Sequence, residues 1–431
     1  MASDQPAATT ADLPESAPES APESAPEPSA GPTLLRNRPF QALWSSEAFA
    51  GVGENAAGVA YPMLILTTTG SAVSAGLVGS AQLLAQGLMS FWGGILADRM
   101  DRKQLLIGCS MLRAALLGVF TLLVLADAVN VAVTLGIAIV SAACFGLSMP
   151  AGMAMIKQLV RPDQLAQATA QNQIRWFGAI TAGPSIGGAL YGVTRVLPFI
   201  GASISFAVSS VLMLFVPRTP QPQAVPGAKK ELLGGFRYLA KHPVLGPLIV
   251  SVTLSNLAFN TTGISLAVIA TGTERGASES FIGLTLAIAG MGGLAGALVA
   301  EFIIRRARPS AVFIAGYWIG PVAAVLLATV PGVIPLGIVV ACVYIRGPII
   351  NALFLTYTAK VVPDRLQGRV LGAIIFSSTI VSPLGVLGIG VVFEAAGPAW
   401  VFATIGAVAT LGALPTLTKG IRTLASAGDL T

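Results

Sequence analysis

The sequence predicts an all-α membrane protein of twelve transmembrane helices in two six-helix pseudo-repeat halves, with both termini cytoplasmic. Three observations carry this expectation. Of 431 residues, 54% are hydrophobic and only 10% charged, against about 25% charged in an ordinary soluble domain, and the mean hydropathy is +0.78. Apolar stretches of spanning length alternate with short polar breaks from Phe40 onward, and lysines and arginines gather in every second break. This composition excludes a soluble globular surface, and it is too apolar for general disorder.

Residues 1–35 read as a disordered acidic tail, with the tandem units Glu15-Ser-Ala-Pro, Glu19-Ser-Ala-Pro and Glu23-Ser-Ala-Pro. The basic start and apolar run of a secretory signal are not found there. A helix needs about 20 apolar residues to cross a hydrocarbon layer of about 30 Å. The expected N-terminal half, 36–216, supplies spans at 40–68, 74–97, 105–126, 130–155, 166–193 and 196–216. The only long polar break after the tail, 217–243, reads as a cytoplasmic linker. The C-terminal half, 244–418, supplies 245–271, 280–303, 310–329, 333–358, 367–393 and 398–417, followed by a cytoplasmic tail at 419–431. Lipid satisfies no backbone group, so each span must be a helix, because the runs are too long and continuous for barrel strands.

Cytoplasmic loops are enriched in Lys and Arg. With the N-terminus inside, inner segments hold twenty bases and outer segments only Arg195 and Arg275. One missed span would invert every later loop. Internal similarity supports the two halves: Val160-Arg-Pro-Asp163-Gln-Leu165 recurs as Val361-Val-Pro-Asp364-Arg-Leu366, and Ala143-Cys144 with Pro150 recurs as Ala341-Cys342 with Pro348. Parallel repeats of this kind place a substrate site near the midplane between halves. The scattered Cys109, Cys144 and Cys342 read as small core residues rather than a disulfide framework or metal knuckle.

Two motifs carry a family resemblance. Gly94-Ile-Leu-Ala-Asp98-Arg99-Met-Asp101-Arg102-Lys103, at the end of the second span, resembles the signature loop of the major facilitator superfamily, with Asp101 where that family usually has glycine. In the fifth span, Gly178, Gly183-Pro184 and Gly187-Gly188 resemble its antiporter motif; the same residues also read as GxxxG helix contacts. Phe40-Gln-Ala-Leu-Trp44, Gly53-Glu54-Asn55 and Thr69-Gly70-Ser71 are similar to a drug-efflux branch that includes macrolide-efflux and enterobactin-exporter-like proteins. The resemblance implies the major facilitator fold and alternating access. It also implies that Asp98 docks on the start of the eleventh helix, near Asp364 to Gln367, and that Gly94, Arg99, Arg102 and Lys103 complete this latch. The plainer reading of those bases is a positive-inside anchor.

Ionisable groups inside spans cost about 2.5–3.5 kcal/mol each on insertion scales and mark functional candidates. Here they are Glu47, Glu54, Arg113, Arg175, Glu301 and Arg346. Glu47, Gly51, Glu54 and Gly58 share one helical face, and Thr253, Asn256, Asn260 and Gly263 form a similar stripe in the seventh span. Glu54 is expected to be the proton-coupling residue, with Asn55, Arg175, Asn256, Asn260 and Arg346 beside it in the cavity; its alternative is a static ion pair with Arg113 or Arg175. Glu47 and Glu301 are expected to snorkel or cap.

No phosphate loop G-x-x-x-x-G-K-[ST] occurs. The string Gly183-Pro-Ser185-Ile-Gly187 does not make a nucleophile elbow, because that requires a strand and a His partner, and the sole histidine is His242 in the linker. The expected protein is therefore not an enzyme and has no cofactor or metal. It is a proton-coupled exporter of a small amphipathic molecule in a bacterial inner membrane, monomeric and without a nucleic-acid partner. An importer or facilitator on the same fold, or a sensor using the acidic tail, are the alternatives.

Overall fold

A computed structural model of the chain describes residues 33–218 and 232–424. The expected tail up to residue 32, the linker stretch 219–231 and residues 425–431 lie outside the described residues. The described chain is helical: α1 (Arg38–Thr69), α2 (Ala72–Arg99), α3 (Arg102–Leu125), α4 (Val131–Leu159), α5 (Leu165–Val193) and α6 (Leu197–Leu214) are followed by a short α7 (Leu232–Lys241). Then come α8 (Leu245–Phe259), α9 (Thr261–Glu274), α10 (Glu279–Arg306), α11 (Pro309–Thr329), α12 (Ile334–Val361), α13 (Asp364–Ile380), α14 (Ser382–Ala396), α15 (Pro398–Ala413) and α16 (Lys419–Arg422).

Local chemistry sets the ends. The Asn37 side chain accepts from Phe40 N at 3.2 Å, and Pro39 stands in the first turn of α1, where its missing N–H is no loss. Gly70 closes α1 in the left-handed region at φ 68°, the conformation that favours glycine. Ser71 then caps α2, Asp101 caps α3 and Asn130 caps α4, each supplying an oxygen to N–H groups that have no intrahelical partner. Asp101, the departure from the family's glycine, is thus a helix cap that also faces Arg218 at 3.5 Å.

Two expected spans are broken, and the linker contains a helix. The seventh divides at Asn260, whose backbone is extended (φ −57°, ψ 136°) and whose side chain accepts from Thr262 N at 3.0 Å. The eleventh divides at Val381, immediately before Ser382-Pro383, where the proline removes a helix hydrogen bond. Counting α8–α9 and α13–α14 as single passes, ten stretches among the described residues are long and apolar enough to cross a membrane. The two further expected spans, α1 and α5, match them in length at 32 and 29 residues, but they carry the polar stripes described below.

Three buried clusters organise the bundle. The largest joins α1 residues such as Val59, Leu64 and Ile65 to Ile264, Leu286, Val340 and Val386 of the other half, all towards the end opposite α7. Within it Tyr61, Phe120 and Phe199 pack with ring centroids 4.8–5.5 Å apart. At the end carrying α7 the cores are separate. One holds Leu34, Phe40, Leu105 and Met155 of the N-terminal half, the other Leu239, Leu245, Phe313 and Val370 of the C-terminal half. Helices in lipid are held by close packing rather than by removal of apolar surface from water, and this packing joins the halves at the far end and leaves them apart at the linker end. Cys109 and Cys144 are buried as expected, whereas Cys342 is exposed on α12.

Candidate functional site

The α1 face predicted from spacing carries two ion pairs, each a part-exposed carboxylate against a buried arginine. Glu54 pairs with Arg113 of α3. The Arg113 guanidinium is 3% exposed, stands 3.8 Å over the Phe206 ring, and donates from Nε to Ser141 Oγ at 3.2 Å. Glu47, about two helical turns nearer the linker end, pairs with Arg175 of α5 at 3.0 Å. Arg175 also donates to the Glu47 carbonyl at 2.9 Å and twice to Asn172 Oδ1, at 2.9 and 3.1 Å. Of the two partners considered for Glu54, the structure gives it Arg113 and gives Arg175 to Glu47. Glycines make these approaches possible: a side chain at Gly152 would run into the Glu47 carboxylate, and one at Gly51 would meet Ala179 and Arg175.

Arg346 of α12 is handled differently. It is 8% exposed and donates from Nη2 to Ser255 Oγ at 2.8 Å. Its guanidinium lies 5.3 Å from the Phe259 ring and 5.8 Å from the Tyr317 ring, and its Nε has no hydrogen-bond partner. Among the described residues no carboxylate lies within ion-pair distance of it. Cation–π contacts return about 2 kcal/mol when desolvated, which offsets part of the cost of a charge in the membrane.

The amides sit elsewhere. Asn55 donates to Gly51 O of its own helix at 2.8 Å, Asn256 donates to Ser378 O of α13 at 3.2 Å, and Asn260 caps α9. They brace helices, and the structure does not bring them together with Glu54. Glu301 is exposed and paired with Arg305 at 2.6 Å.

The glycines of α5 lie between two helices. Gly183 and Gly187 press on Asn55 and Ala56 of α1, while Gly188 meets Gly283 of α10 backbone to backbone, the close approach that small residues allow. Gly178 meets nothing within 4 Å, and Pro184 is buried between the glycine contacts. Between a different pair of helices, Glu394 at the far end of α14 reaches across to the start of α2. Its Oε2 accepts from Ser71 Oγ at 2.9 Å and from Val73 N at 3.0 Å, where a carboxylate is favoured by the helix N-terminus. In the signature loop, Arg102 is buried, Arg99 is exposed and Lys103 donates to Leu214 O at 2.7 Å. The surroundings of Gly94 and the side chains of Asp98, Asp364 and Arg365 lie outside the described residues.

Sequence reasoning missed Asn172, Ser141, Ser255, Tyr317 and Glu394. Asn172 stands three residues before Arg175 on one helical face, which is the single local signal among them. The others meet their partners only through tertiary packing.

The Major Facilitator Superfamily sequence profile matches residues 43–386. The multidrug efflux pump Tap of Mycolicibacterium fortuitum is 28% identical over 370 residues, covering 81% of this chain and 87% of that protein. The enterobactin exporter EntS of Citrobacter koseri is 26% identical over 354 residues, covering 79% and 82%. The crystal structure of a bacterial homologue of the iron transporter ferroportin superposes with a TM-score of 0.70 at 15% identity, covering 91% of this chain and all of that one, a likeness of fold.

Proposed function

The chain belongs to the major facilitator superfamily, and from this premise, a multi-pass membrane transporter of small molecules, we propose that it is a proton-coupled exporter of a small amphipathic compound working by alternating access. The observation that carries the reading is the pair of carboxylate–arginine contacts on one face of α1. Glu54 is about a quarter exposed while Arg113 beneath it is closed off. A proton arriving from the open side neutralises Glu54 and releases its hold on Arg113, which keeps Phe206 and Ser141. Rocking of the two halves changes how far Glu54 is open to water while Arg113 stays beside it in the same half, and a carboxylate whose solvation changes alters its proton affinity between states. That is what coupling to a proton gradient requires.

The linker end is assigned to the cytoplasm by its excess of bases, with twelve crossings and both termini inside. Halves 36–216 and 244–418 then rock about the linker 217–243, with α1 and α5 counted as crossing helices. The described arrangement, fastened at the far end by the α5–α10 glycine contacts and by Glu394 on α2, reads as the state open to the cytoplasm. In the opposite state Asp98, supported by Gly94, Arg99, Arg102 and Lys103, docks on the start of α13 and closes the inner side. Substrate contacts are assigned to Arg346, Asn55, Asn256 and Asn260; in the α5 stripe Gly188 and the Pro184 carbonyl form the outer closure against Gly283 of α10, Gly183 and Gly187 seat α5 on α1, and Gly178 continues the stripe towards the linker end. The names of the efflux relatives support export; the proposal places the protein in a bacterial inner membrane, acting as a monomer.

Transport of a panel of hydrophobic dyes and antibiotics in energised cells tests direction. Expression is expected to lower their accumulation, and dissipating the proton gradient to restore it. Raised accumulation on expression would establish import.

A further inference from the structure

The geometry points to a binding site for one anionic phospholipid of the cytoplasmic leaflet, held by the linker helix α7 with its acyl chain on one side and its phosphate on the other. The inference rests on the proposed orientation of the linker end, and it concerns a site apart from the transport pathway.

The helix is fixed in place. Gly235 lies against the Arg369 backbone so closely that a side chain there would strike its carbonyl. Tyr238 Oη donates to Val361 O at 3.0 Å, and the Phe236 ring meets Phe376 edge-on at 6.0 Å. His242 Nδ1 accepts from Val244 N and Leu245 N at 3.2 and 3.1 Å, joining α7 to the start of α8.

Two cavities flank this helix. One, of about 730 Å³, is almost wholly apolar and is lined by Phe236, Leu239, Ile249, Val250 and Leu414 among others. Its rim is greasy: Val250, Leu414 and neighbouring Leu417 are 45%, 48% and 43% exposed, as befits a groove that opens to lipid. The other, of about 380 Å³, is lined by Arg237, Tyr238, Lys241, His242, Pro243 and Leu366. Arg237 and Lys241, four residues apart, stand on one face of α7 and are exposed. The short α16 adds two more exposed bases, Lys419 and Arg422, and its Gly420 packs on the Pro243 carbonyl.

Among the described residues none of these four charges pairs with a carboxylate, and the stretches 232–246 and 414–424 contain no Asp or Glu. A basic cluster at headgroup level beside an apolar groove is complementary to a molecule with one negative head and a hydrocarbon tail. An anionic phospholipid has both, already oriented by the bilayer. A free anion would leave the groove without an occupant, and a neutral lipid would leave the bases without one.

The test uses the full chain purified in a non-ionic detergent, with phosphatidylglycerol or phosphatidylcholine of identical chains added. Thermal unfolding is followed, and bound lipid is counted by native mass spectrometry. Phosphatidylglycerol is expected to raise the unfolding midpoint and to remain bound one per chain, while phosphatidylcholine and inorganic phosphate do neither. Arg237→Gln with Lys241→Gln is expected to weaken phosphatidylglycerol binding about 30-fold, each base near an anionic surface being worth about fivefold. Arg237→Lys is expected to retain it. Ile249→Trp, which fills the groove without changing charge, is expected to abolish it, and Arg305→Gln with Arg306→Gln, bases at the same end but outside the cluster, to leave it intact. Equal binding of the two lipids, or full phosphatidylglycerol binding by both the charge and groove variants, overturns the proposal. Neither readout depends on transport, so the result stands or falls separately from the exporter reading.

Discussion

The two halves bury their membrane arginines in opposite ways. In the N-terminal half Arg113 and Arg175 each lie against a carboxylate of α1, whereas in the C-terminal half Arg346 lies against two rings and a hydroxyl with Nε unpartnered. A pair containing a carboxylate is switched by one proton. A guanidinium among aromatic rings keeps its charge at every physiological pH. Under the proposed proton coupling, the contrast divides the labour: titration falls to the N-terminal half and a fixed positive charge to the C-terminal half.

The largest effect expected from breaking that contrast is in Glu54→Gln. It strands Arg113 in an apolar niche, and removing one partner of a buried pair costs about 3–5 kcal/mol, towards the lower figure here because Glu54 is partly exposed. Adding Arg113→Met to Glu54→Gln is expected to recover most of the lost thermal stability, measured on purified protein, without recovering uphill transport. Arg346→Met sharpens the comparison from the other side. No carboxylate is stranded, so stability is expected to change by less than about 1 kcal/mol or to rise; a loss as large as that of Glu54→Gln would place a hidden partner beside Arg346.

A smaller effect is expected at the closure that joins the halves. Glu394→Ala removes two hydrogen bonds to the start of α2, and at so exposed a site the loss of stability is expected to be small. Spin labels on the two halves at the far end are expected to show a broader distance distribution in Glu394→Ala than in the parent, with Glu394→Gln intermediate.

The smallest effect concerns His242. Burial holds its pKa below the ordinary value, and its Nδ1 lone pair is occupied by two backbone N–H groups. The unfolded chain therefore binds the proton more readily. The contribution of His242 is complete above the ordinary pKa of about 6.5 and is lost as pH falls through the folded value. The parent is expected to lose slightly more stability than His242→Asn between pH 7.5 and 5.5 in thermal unfolding.

The fold was legible because its signals are local. Apolar runs, the linker break and the 200-residue echo such as Val160-Arg-Pro-Asp163 in Val361-Val-Pro-Asp364 need no tertiary information. The shared face of Glu47 and Glu54 followed from helical period, but their partners did not, because the choice between Arg113 and Arg175 depends on how α1 is rotated against α3 and α5. The break at Asn260 depends on a side chain favouring its own backbone over a continued helix. Glu394 meets Ser71 across 323 residues, and nothing near either residue announces the other. The antiporter-like glycines were legible as small residues; that they serve α1 on one side and α10 on the other required the packed bundle.

The most direct measurement of the central claim is transport in proteoliposomes with an imposed pH gradient, comparing the parent with Glu54→Gln on a compound that the parent moves. The account predicts that Glu54→Gln still exchanges labelled for unlabelled compound across the membrane at equal pH but no longer accumulates it against a concentration gradient when protons are supplied. Gradient-driven accumulation by Glu54→Gln equal to the parent's would contradict it, and would return the Glu54–Arg113 pair to a purely structural role.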